Sequence, residues 1–367
     1  MKSRAMRLIT GILTVALAAG VAGCGSTDAG SASASGSASA SGSKVLELTN
    51  VSYDPTRELY ANYNEIFKAY WKDKTGDDIE ITQSHGGSGK QALEVANGLE
   101  ADVVTLALEA DVDAVKNAGL IEDGYTSEFD NDSAPYTSSI VFLVRSGNPK
   151  NIMDWDDLVR DDVGVIAPNP KTSGAARWNY LAAWYYFEQQ GQSEDEVKAS
   201  VGKFFENVVV LDSGARGSTT SFVENKQGDV MVSWENEAFL SLKQYPGEYE
   251  IVIPSTSIYC QPTVAIVDEV VDKRGSRELA KEYLQYLYSD DAQHLVAENY
   301  YRPYNKDILN EYVFNTDSRV IKEIPEDGKW IIPDVDMVTI DAFGGWTAAT
   351  EKHFVDGGVF DQIYEEK

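Results

Sequence analysis

Ser84-His85-Gly86-Gly87-Ser88-Gly89-Lys90-Gln91 is the stretch whose reading decides the fold. Before it, Ile79-Glu80-Ile81-Thr82 alternates apolar and polar residues, as a half-buried strand does. After it, Ala92-Leu93-Glu94-Val95-Ala96 reads as a helix. The stretch is therefore a strand-to-helix turn of small and hydroxyl residues. Its glycines let backbone approach a ligand closely. The first amides of a helix lack intrahelical acceptors and point outward as donors. The helix dipole adds positive potential there, so the turn can cradle an anion. The same residues also suit a plain capped turn. A nucleotide-binding loop is excluded by spacing. With Gly89-Lys90 placed in G-x-x-x-x-G-K-[ST], the first glycine falls on Ser84 and the final Ser/Thr on Gln91.

The same strand–turn–helix unit recurs along the chain. Val45–Thr49 alternates like a strand and runs into Asp54-Pro55, where Asp54 suits an N-cap and Pro55 a first helical residue. Asp102–Leu108 precedes a helical stretch around Asp111–Ala118, and Ser138–Arg145 is a further strand. A second series follows. Val163–Ala167 leads into Pro168–Trp178, Asn207–Leu211 into Asp212–Thr220, and Asp229–Trp234 into Glu235-Asn236-Glu237. Thr263–Val267 reads as the strand that returns the chain to the first lobe, followed by a helix over Arg277–Ser289. Alternating strands and helices indicate parallel sheets covered by helices. In such folds ligands bind beyond the carboxyl ends of the strands. Two sheets facing each other would aim these helix starts into one cleft.

The 367 residues are enough for two lobes with separate cores. With 59 Asp+Glu against 31 Lys+Arg, the net charge is -28. That argues against nucleic acid or an anionic membrane surface as partners. It also means that any anion must be recognised by local donors rather than bulk charge. His85, His294 and His353 are isolated, with no Cys or carboxylate at metal-ligand spacing, so no metal and no cofactor are expected. No Ser-His-acid arrangement points to an enzyme.

Residues 1–23 have the form of a targeting segment. Lys2, Arg4 and Arg7 precede an apolar stretch, Leu8–Ala19, too short for a comfortable membrane span. The segment ends in Val21-Ala22-Gly23-Cys24, which resembles a bacterial lipobox and implies a lipid on Cys24. Cys260 is then a lone thiol. Residues 24–43 are rich in Gly, Ala and Ser and are expected to be a flexible tether. The folded part begins near Lys44.

Asn50–Arg57, Gln83–Gln91, Asn169–Tyr180, Leu211–Thr219 and Ser233–Ala238 together resemble the sulfate/thiosulfate-binding proteins of ABC importers. Asp132–Ser138 and Tyr300–Pro303 add to the resemblance, which covers nearly everything from Val45 onward. It implies an α/β, two-lobe periplasmic-binding-protein-like fold of type II. Each lobe is a mostly parallel sheet flanked by helices, and two crossover strands join them. Residues 44–137 plus 262–367 form lobe I, and 138–261 form lobe II. It also implies a monomeric receptor that hands its ligand to a membrane permease outside the cell membrane. Carried over motif by motif, backbone amides of Asp54, Ser88, Gly174, Ala175 and Ala215 hold the anion. The Ser173 hydroxyl and the Trp234 indole N–H join them, and Arg177 and Arg216 support the loops. At Ala175 the pattern has glycine, and the change keeps the amide. Each residue also has a plainer reading: Asp54, Ser88 and Ser173 as helix caps, Trp234 as a core aromatic, the arginines as surface charges. Sulfate is favoured over thiosulfate, because thiosulfate-type members tend to lack the indole and the Gly-Gly-Ser-Gly form of the second loop. Sulfate wants donors only, so an uncompensated carboxylate in the cleft would repel it. Asp54, read as a cap, is expected to turn its oxygens onto helix amides.

Overall fold

The computed structural model describes residues 45–314, 318–332 and 336–365. The targeting segment, Cys24 and the tether lie outside these residues. β1 (Val45–Tyr53) pairs with β2 (Asp78–Gly86) along its whole length and with β3 (Val103–Leu106), all in parallel. Parallel neighbours need a crossover, and here helices supply it: α1 (Arg57–Thr75) between β1 and β2, and α2 (Ser88–Ala96) between β2 and β3. α1 forms because Leu59, Tyr63 and Phe67 repeat at helical spacing and bury one face. It stops at Gly76, whose φ of 82° is the left-handed cap that glycine adopts without strain. α3 (Glu109–Asn117) follows β3.

β4 (Tyr136–Thr137) carries the chain towards a second sheet, which it enters as β5 (Ile140–Arg145). That sheet also holds β6 (Val165–Pro168), β7 (Val208–Asp212), β8 (Val230–Trp234) and β9 (Tyr249–Val252). β6 runs parallel to β7 and β8, whereas β5 is antiparallel to β8 and β9. The sheet is thus more mixed than the sequence reading expected. The cause is the crossing itself. β5 starts opposite the carboxyl end of β8, with Ile140 beside Trp234, and so runs against its neighbours. Four helices belong to this half: α4 (Gly174–Gln189), α5 (Glu194–Glu206), α6 (Ala215–Thr219) and α7 (Glu235–Gln244).

The chain returns through β10 (Thr256–Ile258) to β11 (Thr263–Ile266), which joins the first sheet antiparallel to β3. The outgoing and returning segments lie side by side. The Ser138 and Cys260 amides donate to each other's carbonyls at 3.0 and 2.9 Å, and Cys260 is fully buried there. The helix Arg277–Tyr286 packs on the first lobe, where the Tyr283 ring stands 5.0 Å from Phe67, edge to face. Burying a side chain of this size contributes roughly 1.5–3 kcal/mol.

The remainder corrects the expectation that 262–367 belongs to lobe I throughout. β12 (Arg302–Pro303) pairs with β4, but β13 (Val320–Ile321) joins the second sheet beside β9. Trp346 stands 4.6 Å from Trp178 on α4, and Phe360 stands 5.1 Å from Phe205 on α5. The Tyr180 hydroxyl on α4 is bonded to His353 Nδ1 at 2.9 Å. α4 is apolar nearly all round and needs a second cover on the side away from its sheet, which the C-terminal segment provides.

Candidate anion-binding site

The carboxyl ends of both sheets face one another, and the turns singled out in the sequence meet there. In the first half, Gly87 caps α2 and Ser88 is its first residue, almost fully buried. Ser88 Oγ accepts the Ala107 amide at 3.0 Å, which ties the turn to the end of β3. A Cβ on Gly87 would stand 2.5 Å from the Thr172 carbonyl oxygen and 2.9 Å from that of Ser213. Only glycine lets these three loops close on one another.

In the second half, Ser173 caps α4 and its Oγ accepts the Ala176 amide at 3.4 Å. Gly174 opens the helix against Ala107, Leu108 and Asp111, where an added Cβ would approach each within 2.8 to 2.9 Å. Ala175 follows, buried. α6 starts at Ala215 after Gly214 and continues as a π-helical turn, Thr220–Glu224. Trp234 ends β8 and caps α7, with its ring 5.5 Å from that of Tyr53.

Between these starts lies a small cavity lined by Ala175, Asn179, Ala215, Ser218 and Trp234 over Pro168 and Met231. The centre of a water-sized sphere can move within only about 10 Å³ of it. That suits a small occupant such as one water or one compact ion. The Trp234 indole N–H is buried and has no hydrogen-bond partner among the described residues. Larger grooves, such as that of about 730 Å³ beside Gly147 and Lys322, bring none of these loops together.

The nearby cations already face carboxylates. Arg216 donates to both oxygens of Glu58 at 3.0 and 2.7 Å and to Glu237 at 3.0 Å. Arg177 bonds Asp111 at 3.3 Å and the Pro170 carbonyl at 3.0 Å. Lys90 is 68% exposed and lies 3.7 Å from Glu94. Apart from the Arg216 Nε, the uncommitted donors there are neutral dipoles, the Trp234 indole and the Ser218 hydroxyl among them. Buried charge without a partner is costly, so this division of labour is also the stable one.

Asp54 departs from its expected role. Tyr53, still extended at φ -100° and ψ 161°, takes the cap position, and Asp54 is already the first residue of a 3₁₀ turn with Pro55 and Thr56. No side-chain cap bond forms. The reason is that β1 stays paired as far as Tyr53, opposite Gly86, so the extended geometry of a cap falls there. The Asp54 carboxylate instead faces Gly214 across the cleft. Burial pushes its carboxyl above the usual range, against the pull of Arg57, Arg216 and Lys90. His85 is held below its ordinary value, mainly by burial, and is therefore neutral at neutral pH.

Residues 56–302 match the family of bacterial extracellular solute-binding proteins. The chain belongs to that family. A sulfate-binding protein of Escherichia coli is 52% identical over 328 residues, 88% of this chain and 94% of its own length. A thiosulfate-binding protein of Pseudomonas aeruginosa is 46% identical over 320 residues, 86% and 92% of the two chains. The solved structure of the sulfate-binding protein SubI from Mycobacterium tuberculosis is 26% identical, with a TM-score of 0.71 over 83% of this chain and 98% of that one. Within the family the chain falls with the sulfate- and thiosulfate-binding members.

Of the expected residues, Ala175, Ala215 and Trp234 line the cavity of this solute-binding protein, whereas Asp54, Ser88, Ser173 and Gly174 belong to the loops around it and are not among its lining. The sequence reading missed several neighbours. Asp111 lies in the first turn of α3, buried, with Oδ1 towards Arg177 and Oδ2 unpartnered. Glu58 and Glu237 take up Arg216. Arg302, from the Tyr300–Pro303 motif, clamps Glu235 through two bonds of 2.7 and 2.6 Å, both side chains buried. Glu235 follows Trp234 directly, so the pair anchors the backbone that carries the indole. Asn179 and Ser218 line the cavity itself. The only signal that could have found them is helical spacing from Ala175 and Ala215, which places i+4 and i+3 residues on the same face.

Proposed function

We propose that this protein binds one sulfate ion in the cavity and delivers it to an ABC permease. The observation that carries the reading is the buried, unpartnered indole N–H of Trp234 at a cavity the size of a compact ion, where helix starts converge. The amides of Asp54, Ser88, Gly174, Ala175 and Ala215 are assigned as donors, with the Ser173 hydroxyl and the Trp234 indole. Arg177 and Arg216 hold the loops and touch no ligand. The sulfate-binding relatives support the ligand assignment. The protein works as a monomeric receptor rather than an enzyme, uses no cofactor and binds no nucleic acid. It acts outside the cell membrane, anchored by a lipid on Cys24.

Thiosulfate is the second reading, supported by the P. aeruginosa relative. It uses the same donors, with a larger terminal atom to fit. Calorimetric titration with sulfate, thiosulfate and phosphate separates the two. One-to-one heat with sulfate at the lowest Kd is expected. Saturable heat with phosphate but none with sulfate would overturn the assignment.

A further inference from the structure

We infer that the Ser218 hydroxyl is an additional donor to the bound oxyanion, a contact beyond those assigned above that rests on the sulfate reading. Ser218 lies three residues after Ala215 on α6, one turn along the same face. It is 1% exposed, its Oγ has no hydrogen-bond partner among the described residues, and it lines the cavity together with Trp234.

A serine inside a helix ordinarily returns its hydroxyl to the carbonyl four residues back. For Ser218 that carbonyl is Gly214, which receives the Ser218 amide at 3.3 Å and not the hydroxyl. Its neighbours behave differently. Thr219 Oγ donates to Glu237 at 2.8 Å, and Ser221 Oγ donates to Asp212 at 3.1 Å. Leaving a buried hydroxyl unpaired is costly. An anion seated in the cavity supplies the acceptor that the fold withholds.

Asn179 shows why the assignment stops at Ser218. It lines the same cavity, with Nδ2 donating to the Val232 carbonyl at 3.3 Å and Oδ1 unpartnered. That free atom accepts only, and a fully ionised oxyanion has no proton to give it. The Ser218 hydroxyl can donate. α6 then serves the ligand twice, through the Ala215 amide and through this side chain.

The test is calorimetry with sulfate on the purified protein, at low and high concentrations of a chloride salt. Ser218→Ala should weaken sulfate by about tenfold to a hundredfold. The loss should be the same at both salts, because a hydrogen bond from a buried group is poorly screened. Ser218→Cys, close in size but a weak donor, should lose nearly as much, and it keeps the test open if the alanine variant folds poorly. Ser221→Ala, whose hydroxyl is already used, should change the Kd by less than about twofold. Ser218→Ala and Ser218→Cys with wild-type affinity would overturn the inference and leave the sulfate reading standing. A wild-type protein that fails to bind sulfate overturns both.

Discussion

Arg216 and Trp234 stand at the starts of two neighbouring helices, α6 and α7, and differ in what they have left to offer. The terminal nitrogens of the Arg216 guanidinium end on carboxylates, with two bonds to Glu58 and one to Glu237, and its Nε is left without a partner among the described residues. The Trp234 indole N–H is more deeply buried and has no hydrogen-bond partner among the described residues. One region spends full charge on holding the protein together. The other keeps neutral dipoles free. For a chain of net charge -28, that contrast explains how an anion could be held without a cationic surface. Local donors inside a small buried cavity act at short range, where distant carboxylates are screened.

The contrast is broken most severely by forcing the two halves of the cleft apart. Gly87→Ala puts a methyl group 2.5 Å from the Thr172 carbonyl oxygen, which is backbone and cannot swing aside. Donors from both halves can then no longer converge. Sulfate affinity should fall by about a hundredfold or more, the worth of at least one or two hydrogen bonds to a charged group. Thermal unfolding of the ligand-free protein should move far less, and equal effects on both would mean that Gly87 serves the fold rather than closure. Trp234→Phe is next. It keeps most of the ring and removes one donor, for an expected loss of about tenfold to a hundredfold in a sulfate titration.

Asp54 sharpens the comparison from the other side, because it is a charge in the cleft that should oppose the ligand. Its carboxyl is raised by burial. The ionised form therefore carries a penalty that is fully present above the raised value and is relieved as pH falls through it. Sulfate affinity of the wild type should rise as pH is lowered from neutral towards the upper edge of the carboxylate range. Asp54→Asn keeps the amide, should bind a few-fold more tightly at neutral pH, and should flatten that slope. No step is expected near ~6.5, the ordinary histidine value, because His85 is already neutral there. Titrations of both proteins across pH check this, and weaker binding by Asp54→Asn would show that the carboxylate serves the site.

Much of this arrangement was legible in the sequence because its signals are local. A strand followed by a Ser/Gly turn and a helix start is written within a dozen residues, as at Ile79–Ala96 and at Val163–Trp178. The misses are all tertiary. Asp54 and Pro55 look like a cap and a first turn, yet pairing of β1 with β2 as far as Tyr53 moved the cap by one residue. The C-terminal aromatics give no sign of which lobe they cover until α4 is seen to be apolar on its outer side. Glu235 reads as a helix-start acid, and only the fold brings Arg302 to it from 67 residues away. The Ser218 hydroxyl differs from those of Thr219 and Ser221 solely in where the helix turns it.

The central claim is that dipoles, not side-chain charges, hold the anion, and the smallest expected effect tests it most directly. Lys90→Gln removes a full positive charge at the mouth of α2, while Trp234→Phe removes a neutral donor from the cavity. Sulfate dissociation constants for both variants and the wild type should be measured at low and high chloride. The account predicts that Lys90→Gln costs at most a few tenths of a kcal/mol, about a factor of two, at either salt. Trp234→Phe should keep its larger loss at both. A Lys90→Gln loss that exceeds that of Trp234→Phe and disappears at high salt would contradict it.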